Sequence, residues 1–197
     1  MTHSHHAAHR RPRPWALIGM KHCGKTTTGR LLATLSGRVF LDLDELIRSC
    51  FAAENRIETA PSVREIYREH GREEFQRYER AAADEFARRT STHQGACVLA
   101  CGGGVVENKP AIERLAAISV VVYLDDDPDV LFERVVAGGI PAFLDSADPH
   151  AAFTALWAAR DPLYRAYAEQ VVKISGQSPE QLASKLYTVM QEYGDAR

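Results

Sequence analysis

The stretch that most restricts this chain is GMKHCGKT (19–26), a glycine, four spacers and then a second glycine followed by lysine and threonine. An apolar run, WALIG (15–19), leads into it, and a helical pattern from about Lys25 to Leu35 leads out. A strand, a glycine-bent loop and a helix N-terminus, in that order, make a cradle for phosphate. The backbone N–H groups turn inward, and the helix end adds partial positive charge. Gly19, Met20, Lys21, His22, Cys23, Gly24, Lys25, Thr26 and Thr27 are therefore the candidate phosphate-binding residues for ATP. In such a loop Lys25 spans the β- and γ-phosphates, a catalytic role, and the Thr26 hydroxyl holds Mg²⁺.

The rest of the chain fits that start. Strand-like runs at 38–44, 96–101, 118–125 and 171–174 alternate with helical patterns near 44–52, 61–70, 72–90, 107–115, 128–137, 149–168 and 179–193. This alternation predicts an α/β fold, a three-layer αβα arrangement around five parallel strands. Gly71 is expected to break the helical stretch between 61 and 90. Residues 138–149, rich in Gly, Pro and Asp, read as a mobile loop. With 197 residues the chain suits one domain, 15–197, behind a His- and Arg-rich leader at 1–14 that is expected to be disordered. The leader lacks the apolar core of a secretory signal, and its histidines (His3, His5, His6, His9) could at most bind metal incidentally.

A net charge of −2 offers no general attraction for nucleic acid or anionic membrane, and the longest apolar run is too short to span a bilayer. The four cysteines match neither a disulfide framework nor a zinc spacing, so reduced thiols in the cytoplasm are expected. Cys23 reads as a tolerated small residue within the loop.

Two further features carry chemistry. Asp42 and Asp44 stand two apart at the end of the second strand, where both carboxylates project the same way, beside the phosphate loop. One can support Mg²⁺ and the other can accept a proton from an attacking hydroxyl. Alone, the pair also fits a helix cap with a solvated neighbour. Gly102, Gly103 and Gly104 end the third strand, and such a run either turns tightly or lets a ligand approach the backbone.

Taken together, the phosphate loop, DLD (42–44), ACGGGVVEN (100–108) and RDPLY (160–164) resemble the shikimate kinase family of small phosphate-loop kinases, over residues 15 to about 193. The resemblance implies a nucleoside-monophosphate-kinase-like fold with a helical substrate-binding region near 44–92 and a lid near 138–149. It also implies Mg²⁺-assisted transfer from ATP to the 3-hydroxyl of shikimate. By matching position, Asp44 would orient or deprotonate that hydroxyl and Asp42 would sit near the metal. The three glycines would line the acceptor pocket, Arg160 would pair with the acceptor carboxylate, and Arg134 would approach the nucleotide. Tyr164 and Trp157 read as core.

Two positions depart from the family pattern. In GREEFQRYE (71–79), Gln76 stands where the family has an arginine for the substrate carboxylate, and in the lid Ile140 stands where it has another. Arg72, one helical turn before Gln76, is the candidate replacement. The expected function is an ATP-dependent kinase of a small hydroxylated acid, shikimate first, acting in the cytoplasm as a monomer. A kinase for a different polyol or hydroxy acid, or a nucleotide-binding regulatory module without turnover, stays open at this point.

Overall fold

The computed structural model describes residues 12–94, 96–137, 144 and 147–195. The order is β1 (Trp15–Ile18), α1 (Lys25–Ser36), β2 (Val39–Asp42), α2 (Leu43–Asn55), α3 (Val63–Thr92) and β3 (Cys97–Ala100). A 3-10 turn (Val105–Glu107) follows, then α4 (Lys109–Ile118), β4 (Val120–Asp125), α5 (Pro128–Val136), α6 (Pro149–Tyr167), β5 (Gln170–Lys173) and α7 (Pro179–Asp195). The five strands form one parallel sheet in the order β2-β3-β1-β4-β5.

Every residue of β1, β3 and β4 is buried, as expected of central parallel strands covered on both faces, whereas the edge strands β2 and β5 stay partly exposed. α1 packs on α7, and α3 lies against both α2 and α4. The register matters most for function. Asp42 pairs with Ala100, and Ala100 with Leu17, so β1, β2 and β3 end at one level. The loops that leave them emerge side by side at the carboxyl edge of the sheet, where open parallel sheets hold their ligands.

Helix boundaries follow local chemistry. Ser62 and Glu65 form a reciprocal capping box at the start of α3. Gly71 (φ 79°, ψ 179°) leaves helical geometry inside α3, so the expected break is a kink within one long run. The helix expected over 107–115 is displaced: Asn108 precedes α4, which carries Pro110 in its first turn, and a separate 3-10 turn comes before it. Proline suits that first turn because its missing N–H would have no partner there anyway. Ile118, expected in a strand, closes α4 instead.

Two residues expected in the disordered leader have partners in the fold. Residues 1–11 lie outside the described residues, but Arg13 and Pro14 are docked. The Arg13 guanidinium bonds Glu169 (2.7 Å) and the Ser119 carbonyl (2.8 Å), and the Pro14 carbonyl accepts from Val120 N–H (2.8 Å). The expected lid falls largely outside the described residues, Ile140 included. Leu144, within it, is buried.

Candidate active site

The loop after β1 turns on positive φ at Gly19 (142°), His22 (64°) and Gly24 (90°). At Gly19 a side chain is excluded twice over, because a Cβ would stand 2.8 Å from the Leu124 carbonyl oxygen. Lys25 is 8% exposed, and its ammonium donates to the Gly19 and Met20 carbonyls (2.9 and 2.8 Å), folded back across its own loop. Desolvation, with Lys21 and Lys25 nearby, lowers the pKa of His22. Thr27 is exposed, and Cys23 is buried.

The link to β2 is direct. Thr26 Oγ1 donates to Asp42 Oδ2 at 3.1 Å, and Asp42 Oδ1 accepts from Asp44 N–H at 3.0 Å. Asp42 is thus both the cap of α2 and the partner of the loop threonine. Thr26 and Asp42 present hard oxygen donors side by side, a set that suits Mg²⁺ completed by phosphate and water. Burial, then the neighbouring Asp42, raises the pKa of Asp44, against an opposing pull from Lys25.

The glycine run meets both sides of this site. A Cβ on Gly102 would come within 3.1 Å of Asp44 Oδ1, and one on Gly103 within 3.3 Å of Lys21 N. One at Gly104 would stand 3.5 Å from Arg160 Nη2. The three glycines therefore touch, in order, the candidate base, the phosphate loop and the candidate acceptor arginine. The Tyr164 hydroxyl donates to the Gly103 carbonyl and lies 3.7 Å from Met20 Sδ. Tyr164 is core by burial, as expected, yet its one polar atom pins the glycine run to the phosphate loop.

On the acceptor side, Arg160 is paired with Glu107 at 3.0 Å. Asn108 donates to both the Gln76 carbonyl and Glu79 Oε2, each at 2.9 Å, which fastens the turn before α4 onto α3. Glu79 is 4% exposed, and burial pushes its pKa up to about 7, opposed by the Asn108 hydrogen bond. Gln76 is half-buried, whereas Arg72 is exposed and makes no ion pair or hydrogen bond among the described residues. Arg134, in the last turn of α5, is held by Asp126 at 3.0 Å.

Glu79, Glu107 and Asn108 lie within the two stretches singled out in the sequence, but their roles were not legible there. Glu79 follows Gln76 by three residues, a spacing that shares a helix face and was available as a signal. No clue in the sequence joins Asn108 to α3. All four cysteines are free, and among the described residues no helix is long and apolar enough to cross a membrane.

Comparison with known proteins supplies the last finding. The family model described as shikimate kinase matches residues 21–191. The shikimate kinase of Psychrobacter cryohalolentis is 33% identical over 170 residues, covering 86% of this chain and 84% of that protein. That of Halorhodospira halophila is 34% identical over 175 residues, covering 89% and 92%. The solved structure of shikimate kinase from Acinetobacter baumannii in complex with shikimate superposes with a TM-score of 0.77 at 28% identity, over 93% of this chain and 96% of that one.

Proposed function

The chain belongs to the shikimate kinase family, and on that premise we propose that it phosphorylates the 3-hydroxyl of shikimate with ATP. The observation that carries the mechanism is the chain of contacts from Thr26 through Asp42 to Asp44, laid against Gly102. It links the phosphate donor's loop, the oxygen donors for a metal and a carboxyl with raised proton affinity in one short span.

In this reading the loop from Gly19 to Thr27 wraps the ATP phosphates. Lys25 moves from its own loop carbonyls onto the β- and γ-phosphate oxygens. Mg²⁺, when bound, neutralises charge on the transferring phosphate. Thr26 and Asp42 would be the residues that hold it, through their hard oxygen donors. Asp44 orients the acceptor hydroxyl and takes its proton. Its raised pKa makes it a better base than a solvated carboxylate would be. Gly102, Gly103 and Gly104 let the acceptor ring lie against backbone, and Arg160, Arg72 and Gln76 face its carboxylate end. α2 and α3 supply the acceptor-binding region near 44–92, the lid spans about 138–149, and Arg134 meets the nucleotide. All of these residues come from one chain, so a monomer suffices. The free thiols fit a cytoplasmic enzyme.

One observation favours a second acceptor class. With Gln76 neutral and Arg160 already paired, the pocket offers a carboxylate less unmet positive charge than two arginines would. A coupled ADP-release assay over shikimate and a panel of polyols and hydroxy acids decides between the two. Turnover with shikimate at the highest kcat/KM is expected. Robust turnover on another acceptor, with none on shikimate, would transfer the activity to that class.

A further inference from the structure

This inference rests on the acceptor reading just given and concerns what Arg160 does before the acceptor arrives. Its guanidinium is not waiting in solvent. Arg160 is 17% exposed and is bonded through Nη2 to Glu107 Oε2 at 3.0 Å. The pair lies over the last glycine of the run, for a Cβ on Gly104 would stand 3.5 Å from Arg160 Nη2 and 3.8 Å from Glu107 Oε2. Among the described residues Arg160 Nε is buried with no hydrogen-bond partner, so the guanidinium keeps donor capacity that Glu107 does not use. A planar two-oxygen anion lying across Nη2 and Nε would satisfy both.

The backbone beneath Glu107 is held firmly. Glu107 N–H donates to the Gly104 carbonyl (2.9 Å) and Asn108 N–H to the Val105 carbonyl (3.0 Å), while the Asn108 side chain is tied to α3. The Glu107 side chain is 32% exposed, whereas its neighbours Val105, Val106 and Asn108 are buried. It can swing away from Arg160 without moving the turn.

We propose that Glu107 is a built-in competitor for the acceptor: its carboxylate takes the place on Arg160 that a substrate carboxylate needs, and an anionic acceptor binds by displacing it. Glu107 thereby sets acceptor specificity. It weakens binding of carboxylate-bearing acceptors and leaves neutral hydroxylated molecules, which have no claim on Arg160, unaffected. It acts through Arg160 and touches no reacting atom, so it is a positioning residue.

The test is Glu107→Gln, which keeps the shape and removes the charge. Shikimate is titrated calorimetrically into wild type and variant, and steady-state constants are measured alongside. Shikimate Kd and KM should fall by roughly three- to tenfold in the variant, with kcat within about twofold and KM for ATP unchanged. Shikimate affinity that is unchanged or weaker overturns the proposal, because Glu107 would then be inert or would be orienting Arg160. Glu107→Ala must move affinity in the same direction and serves as the test if the glutamine variant does not fold. Absence of shikimate binding in every form overturns both this inference and the shikimate assignment. Wild-type turnover on shikimate with unaltered affinity in the variants overturns this inference alone.

Discussion

The proposed phosphate and acceptor ends of the site are built on different principles. The phosphate end is mostly backbone: a loop shaped by Gly19 and Gly24, a helix N-terminus, and one lysine bonded to carbonyls of that same loop. The acceptor end is mostly side chains brought from separate elements, with Asp44 on α2, Glu79 and Gln76 on α3, Glu107 and Asn108 around a turn, and Arg160 on α6. A backbone site is specified by a short local pattern and tolerates little change. A side-chain site is specified by packing and can be retuned one residue at a time. In this chain the loop carries its full pattern of Gly19, Gly24, Lys25 and Thr26, and the neutral Gln76 lies among the side chains.

The difference predicts that damage at the phosphate end removes turnover, while changes at the acceptor end shift substrate affinity. The largest effect is expected from Lys25→Met, where ADP production with any working acceptor should fall by about a thousandfold or more. Its thermal midpoint should stay near that of wild type, as measured by circular dichroism. Preserved turnover would mean that this loop does not handle the transferring phosphate.

Asp44 stands at the join of the two ends, and Asp44→Asn comes next. We expect kcat to drop by roughly 10²–10⁴ with KM for ATP nearly unchanged. If ATP affinity falls and kcat holds, Asp44 supports the metal, and Asp42 becomes the candidate base.

At the acceptor end the expected effects are smaller. Arg72→Ala should raise KM for shikimate about tenfold with little change in KM for ATP, if the exposed Arg72 turns toward the acceptor. Gln76→Arg should restore shikimate use in that background. A silent Arg72→Ala, together with shikimate activity that first appears in Gln76→Arg, would point to a different natural acceptor.

The last effect falls on stability and leaves turnover aside. Burial holds the Glu79 pKa up at about 7, above its ordinary 4.5, so the folded chain binds this proton more tightly than the unfolded chain does. Wild-type stability from this group is therefore fullest below about pH 4.5 and declines as pH rises through about 7. Glu79→Gln removes that decline. Relative to wild type it should gain roughly 2–3 kcal/mol between about pH 4.5 and pH 8, read from denaturant midpoints. Parallel pH profiles for the two proteins would show that Glu79 titrates like a solvated carboxylate.

The contrast between the two ends also explains what could be read from the sequence. The loop over 19–26 was legible because its geometry is local, with glycines at the turns and a lysine and threonine at the helix start. The aspartates of β2 were legible from period-two alternation and their place at a strand end. Asn108 was not, because its work is to join a turn to a helix that precedes it by a whole strand. The start of α4 was misplaced although its signals were present, for an asparagine cap followed by a proline in the first turn marks a helix beginning. Arg160 was identified from its motif, but its partner Glu107 depends on how α6 lies over the glycine run, which no spacing encodes.

The sheet order has a consequence for how the chain comes into being. During synthesis β1 emerges before the other strands, yet its neighbours in the sheet are β3 and β4, reached through Val98 and Val120, and β2 is not among them. A nascent chain that ends anywhere before β3 holds finished helices but no sheet, with WALI exposed. The ring contact between Trp15 and Tyr193 then sets β1 against α7. Such long-range pairing makes folding slow and leaves an apolar strand uncovered while the ribosome is still at work. The central strand that organises the finished enzyme is therefore, until late in synthesis, the segment most in need of shelter.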